Sequence, residues 1–192
     1  MKTQTIIAIK FLLVLTILTG VIYPFLMTGL AQLIFPARAN GSLVMKDVKI
    51  AGSELIGQKF DSIIYFWPRP SAIDYNPIPS GASNLGPTSD KLKKLVAERH
   101  RLFVTNNSLA DTTAIPKEML FASASGLDPH ISPESALLQL NRVAVGRNLD
   151  EVQIQKVKQL IMDKTQGPQY FLFGEPRINV FELNLALDSI RQ

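Results

Sequence analysis

The chain has 192 residues, of which 46% are apolar and 19% charged, with two histidines and no cysteine. This length suits one modest domain. The missing Cys excludes disulfide scaffolds, thiolate zinc centres, thiol nucleophiles and cysteine-ligated iron–sulfur clusters.

The formal charge of +4 raises nucleic acid or a membrane surface as partners, so the placement of the charges matters. All 36 charged residues lie outside 11–37, and Phe11–Phe35 holds 18 apolar residues in 25. A bilayer core needs about 20 predominantly apolar helical residues. Gly20, Pro24 and Gly29 burden a soluble helix but are common in membrane helices. The pattern predicts a short tail over 1–10, a transmembrane helix over 11–35 and a soluble domain over 36–192. A cleaved signal peptide is the alternative, since Ala37-Arg38-Ala39 has the small-x-small form of a cleavage site. A signal core spans about 7–15 apolar residues, and the longer run here favours a retained anchor. Lys2, Lys10 and the terminal amine, with no acid beside them, favour a cytoplasmic N-terminus, which puts the domain outside the cytoplasm. That domain carries 18 basic and 16 acidic residues. Nucleic-acid binders concentrate a basic excess on one face, so no nucleic-acid partner is expected.

Residues 40–66 read as turns alternating with short apolar runs, and Ile63–Trp67 is rich in strand-favouring side chains. Pro68–Ser89 holds five Pro, two Gly, four Ser and two Asn in 22 residues, a composition that excludes regular structure. Its Ile73, Tyr75, Ile78 and Leu85 point to an ordered, packed loop. Thr88 or Ser89 can cap a helix in which Leu92, Leu95, Val96, Leu102 and Phe103 recur at helical spacing, ending at Asn106-Asn107-Ser108. Ser132-Pro133 starts a second helix that runs to Val145 and stops at Gly146. Asp150 opens a third, with Ile154, Val157 and Ile161 on one face. Tyr170–Phe173 and Arg177–Phe181 read as two strands around Gly174-Glu175-Pro176, followed by a short helix through Leu183, Leu187 and Ile190. Strands and helices without strict βαβ alternation predict an α+β domain.

Little in the chain suggests self-contained chemistry. Asp163-Lys164-Thr165-Gln166-Gly167 approaches the D-K-T-G-T loop of P-type ATPases, but a phosphorylated Asp needs nucleotide and metal sites, and only 25 residues follow Gly167. A helix end with Lys164 near the last carbonyls and Gly as terminator accounts for it. Ser123–His130 is a small-residue loop leading into the helix at Ser132. Helix N-termini can hold phosphate, yet no G-x-x-x-x-G-K-[ST] occurs and no Lys lies near; a structural turn is the simpler reading. His130 reads as a capping or packing residue rather than a ligand or base. Gln139 and Arg142, three apart on one helix face, offer a polar contact surface or a solvated face. No catalytic residue and no metal site is expected.

Tyr65–Ala72 (YFWPRPSA) with Ser80–Ser89 (SGASNLGPTS), then Ala122–Pro133 (ASASGLDPHISP) continued by Gln139–Ala144, resemble the C subunit of the bacterial Kdp potassium-transporting ATPase. Val180–Asp188 (VFELNLALD) is similar to that family's terminal V-N-V-L-E-L-N-x-A-L-D pattern. Gly146-Arg147-Asn148 departs from the Ala-Arg-Gly of many relatives. The resemblance implies an accessory, non-catalytic subunit with one anchor helix in the bacterial inner membrane. Its partners would be a channel-like potassium-binding subunit, a P-type ATP-hydrolysing subunit and the lipid bilayer, in a complex that imports potassium at the expense of ATP. The family is also described as a catalytic chaperone that raises the ATP affinity of the hydrolytic subunit. By that analogy ATP would be a cofactor, with Ser123, Ser125, Gly126 and Gln139 as candidate contacts. A domain outside the cytoplasm meets little ATP, so the alternative is a structural or regulatory cover over the potassium access path with no nucleotide contact.

Overall fold

The charge-free N-terminal stretch forms helix because every backbone polar group can be satisfied within it, whatever surrounds its side chains. In the computed structural model, which describes residues 2–46 and 48–190, the chain divides into two units, 1–53 and 54–192. The first contains α1 (Lys2–Ile17), a π-helical turn (Leu18–Ile22) and α2 (Tyr23–Ile34). Together they make one apolar helix of 33 residues with none buried, about 50 Å long at 1.5 Å per residue. The π turn has a local cause. Pro24 lacks the N–H that would reach the Gly20 carbonyl, and the Tyr23 amide reaches back five residues to Leu18 instead. Phe35 leaves helical geometry at φ −134° and ψ 55°, and the short α3 (Pro36–Ala39) follows. The amide of Asn40 donates to the Pro36 carbonyl at 2.8 Å and pairs with the amide of Gln32. An antiparallel hairpin of β1 (Leu43–Lys46) and β2 (Lys49–Ser53) completes this unit, with Leu43 opposite Ser53 and Lys46 opposite Lys49.

The second unit is helical around a minimal sheet. Its elements are α4 (Asp90–Asn106), a 3-10 turn (Lys117–Met119), β3 (His130–Ile131), α5 (Pro133–Arg147), α6 (Glu151–Asp163), β4 (Ile178–Asn179) and α7 (Val180–Ser189). Side-chain oxygens satisfy the amides that open four helices. Ser89 accepts from Leu92, Ser132 from Ser135, and Asn179 from Phe181 and Glu182. Asp150 and Gln153 bond reciprocally at 2.8 and 3.0 Å in a capping box. β3 and β4 pair antiparallel, His130 opposite Asn179 and Ile131 opposite Ile178. Around them the core gathers Phe66, Phe103, Met119, Val143, Val157, Ile161, Ile178, Leu183 and Leu187. An apolar helix followed by a mixed helix-and-strand domain is the α+β class expected from sequence.

Several local expectations are corrected. Ile63–Trp67 forms no strand, for reasons that lie in its neighbours. α5 continues through Gly146 to Arg147 and ends at Asn148, whose φ of 53° supplies the left-handed turn usually given to Gly. α6 ends at Asp163 with Lys164 as its cap, so Gly167 lies beyond the terminator position. Tyr170–Phe173 forms a tight turn closed by a bridge between Gln169 and Phe173. Of the second expected strand, Arg177 bridges Gln166 while Ile178–Asn179 pairs with β3 rather than with the first. Val180 already belongs to α7, because Asn179 caps it. Residues 68–89 are irregular, as expected, and tied down: the Gly81 amide donates to the Ser125 carbonyl at 3.1 Å.

Candidate functional site

The most heavily bonded part of the domain is the segment 62–67. Its residue types suit a strand, but side chains rather than a strand meet its backbone. Asn184 of α7 accepts from the Phe66 amide and donates to the Phe66 carbonyl, both at 2.9 Å. Gln139 of α5 does the same for Trp67, at 2.7 and 3.2 Å. Each carboxamide thus reproduces the donor–acceptor pair of a sheet neighbour. Arg142 donates to the carbonyls of Ile63 at 2.7 Å and Tyr65 at 2.9 Å, to Asn107 at 2.9 Å and to Gln139 at 2.8 Å. Its guanidinium also lies 4.0 Å from the Trp67 ring centroid, a cation–π arrangement. Arg147 donates to the Ile64 carbonyl at 2.6 Å and to Asp188 at 2.8 Å. Burial pulls the Arg142 pKa down to about 10, which still leaves it charged at neutral pH. A Cβ on Gly146 would sit 3.1 Å from the Ile63 carbonyl oxygen, so the small residue lets α5 approach this segment closely.

A second constellation surrounds Asp128. Its carboxylate accepts from Arg69 at 2.6 Å and from the His130 amide at 3.0 Å, and lies 3.2 Å from His130 Nδ1. Burial works to raise its pKa, but the His130 ring and amide and the Arg69 guanidinium outweigh that and hold it at about 2. Glu118 accepts from the Ser135 hydroxyl at 2.6 Å and the Ser132 amide at 3.3 Å. These bonds lower its pKa against the desolvation that would raise it. Beside Arg69 a cavity of about 310 Å³ is lined by Phe60, Trp67, Tyr75, Leu102, Phe103 and Met119 among others. The Lys59–Asp74 ion pair at 2.8 Å also borders it. Among the described residues no cluster of three or more His, Cys, Asp or Glu could hold a metal ion.

The residues singled out from sequence divide between these regions. Ser123 is buried and Ser125 exposed, and the Ser125 hydroxyl accepts from the Leu127 amide at 3.1 Å. Gly126 has φ +72°, and a Cβ there would come within 2.5 Å of Ile73. Gln139 lies on α5, with no exposed surface. Its amide group is spent on Trp67, Ser135 and Arg142. Gln139 and Arg142 do share a face, as their spacing requires, but it is a buried polar face rather than a solvated one. Asp163 is held by Gln159 at 2.8 Å, and Thr165 donates to the Ile161 carbonyl at 2.7 Å, an ordinary helix end. Asn184 was not singled out from sequence. The available signal is a carboxamide on the same helix face as Leu183 and Leu187.

Asn184→Leu keeps the branched side-chain skeleton but leaves the Phe66 amide and carbonyl buried without partners, at about 1–3 kcal/mol each. Urea unfolding in detergent should show a loss of about 2–5 kcal/mol, against under about 0.5 kcal/mol for Asn106→Ala on the exposed face of α4. Asp128 gives a pH signature. Its folded pKa lies below the ordinary 3.8, so its contribution is complete above that value and is lost as pH falls through about 2. The stability difference between the parent and Asp128→Asn should therefore narrow between about pH 5 and pH 2.

Comparison with known proteins covers both units. The family model described as K+-transporting ATPase, c chain, matches residues 5–189. The Potassium-transporting ATPase KdpC subunit of Leptospira interrogans is 50% identical over 183 residues, covering 95% of this chain and 92% of its own. The protein of that name from Methylococcus capsulatus is 48% identical with 96% of each chain covered. That of Dechloromonas aromatica is 46% identical with 99% of each covered. With a family match running from the apolar helix through α7, the chain belongs to the KdpC family, the C chains of K+-transporting ATPases.

Proposed function

We propose that this chain is the accessory subunit of an ATP-driven potassium importer in the bacterial inner membrane. It pairs with a channel-like potassium-binding subunit and a P-type ATP-hydrolysing subunit. The observation that carries the reading is the family match across anchor and domain together, residues 5–189. Residues 11–35 cross the bilayer, the tail 1–10 with Lys2 and Lys10 stays in the cytoplasm, and the domain lies outside. The helix is well suited to packing on partner helices. A Cβ at Gly20 or Gly29 would meet nothing within 4 Å, and such small-residue surfaces allow close helix approach in lipid. The tied-down loop 68–89 is the docking surface of the domain.

The domain acts as a cover over the potassium access path rather than as a nucleotide site. What favours this over the catalytic-chaperone role is the state of the four candidate ATP contacts. Gln139 could reach a ligand only by giving up its bonds to Trp67 and Arg142, and Gly126 lies against Ile73. Ser123 and Ser125 alone carry no charge to hold phosphate.

Deletion of this subunit should abolish ATP-driven potassium uptake in cells that retain the partner subunits; full uptake would contradict the proposal. Orientation is read by Lys156→Cys on the exposed side of α6, in a chain with no other Cys. An impermeant maleimide should label it in spheroplasts. Labelling confined to inverted vesicles would place the domain in the cytoplasm and restore the nucleotide role.

A further inference from the structure

At the turn between α6 and β4 four consecutive large apolar side chains stand in solvent: Tyr170 at 85%, Phe171 at 96%, Leu172 at 80% and Phe173 at 66% exposure. Exposed apolar residues scattered singly are ordinary, but no other run of four occurs among the described residues of 54–190. The backbone builds this finger. Gln166 and Arg177 exchange hydrogen bonds at 2.8 and 3.0 Å across its base, and Gln169 and Phe173 do so at 2.8 and 2.9 Å near its tip. Tyr170 and Phe171 sit at φ 53° and 62°, a conformation uncommon for bulky residues, which turns their side chains outward at a conformational cost. No charged residue lies between Lys164 and Glu175.

Three observations select a lipid surface as the occupant. The amides of Gln169, Phe171, Leu172 and Phe173 all donate within the turn, and the carbonyls of Tyr170, Phe171 and Leu172 can be met in the hydrated headgroup layer. This limits the finger to the boundary, because orphan groups are costly in hydrocarbon. Tyr and Phe beside Leu are side chains suited to the headgroup boundary. The chain also brings its own bilayer, because the 33-residue apolar helix connects to this unit through residues 35–53, at most about 65 Å even if fully extended. A tethered contact needs only modest intrinsic affinity.

We propose that residues 170–173 insert into the headgroup–acyl boundary of the bilayer that holds the anchor, giving the domain a second point of attachment to phospholipid. The inference rests on the reading of the N-terminal helix as a membrane anchor. The chain has no Cys, so Phe171→Cys in the full chain takes a single environment-sensitive fluorophore, with Leu172→Cys as a second position and Lys156→Cys as the aqueous control. Each labelled chain is reconstituted into phosphatidylcholine–phosphatidylglycerol vesicles and floated. The labels at 171 and 172 should be quenched several-fold more than the control by shallow nitroxide lipids, and shielded from aqueous iodide. A chain that floats with the vesicles while both labels remain open to iodide overturns this inference and leaves the anchor intact. A chain that does not float overturns the anchor reading and this one with it. Labels shielded from both quenchers in the complex assembled with its partner subunits would assign the finger to a protein pocket and overturn the lipid assignment.

Discussion

Six residues, 62–67, lie against α5 and α7 with no strand beside them, and the chain answers each of their carbonyls with a side chain. Ser62, Ile63 and Tyr65 face Arg142; Ile64 faces Arg147; Phe66 faces Asn184; Trp67 faces Gln139. A buried backbone group without a partner costs about 1–3 kcal/mol, so these four side chains make it possible for Phe66 to enter the core at all. The same bonds fix α5 and α7 against one segment. Val143, Leu183 and Leu187 then fall on the inner faces of those helices.

Buried arginines are expensive unless their donors are satisfied, and the two here are handled differently. Arg147 has a carboxylate partner, Asp188, and the Tyr65 ring 4.9 Å from its guanidinium carbon. Arg142 bonds to neutral oxygens only, and its compensation comes from several carbonyls and the Trp67 face. The loops follow from this arrangement. Trp67 hands the chain to Pro68 and Arg69, Arg69 holds Asp128, and the Asp128 carboxylate sets the turn into β3. The proline-rich loop and the 123–130 loop are therefore joined ends of one construction, linked again where Gly81 meets Ser125 and Gly126 meets Ile73.

Helices and their caps were readable because they depend on nearest neighbours. Ser89, Ser132-Pro133 and Asp150 each carry their reason within three residues. The apolar helix was readable from composition alone. The strand at Ile63–Trp67 was misread because propensity reports what a side chain prefers, whereas the partner of this backbone lies 72 to 118 residues away on two helices. The strand at Tyr170–Phe173 was misread for a related reason. Its β-favouring side chains face solvent, and the segment curls into a turn because the Leu172 and Phe173 amides donate to the Gln169 carbonyl while the Gln169 amide donates to that of Phe173. At the candidate site, residue type and spacing correctly set Gln139 and Arg142 on one face. Whether that face meets solvent or core depends on the distant segment 62–67, which has no local signature. The family was legible in the order of several long motifs spread from Tyr65 to Asp188 rather than in any single cluster of side chains, and the match over residues 5–189 bears it out.

The central claim is that carboxamide and guanidinium groups of α5 and α7 hold residues 62–67 as firmly as a sheet would. Native-state hydrogen exchange at the amides of Phe66 and Trp67 tests it most directly. Exchange that occurs only through global unfolding, at rates matching the core of α5, is the expected result. Fast exchange of both amides, at rates typical of an exposed loop while α5 remains protected, would contradict it.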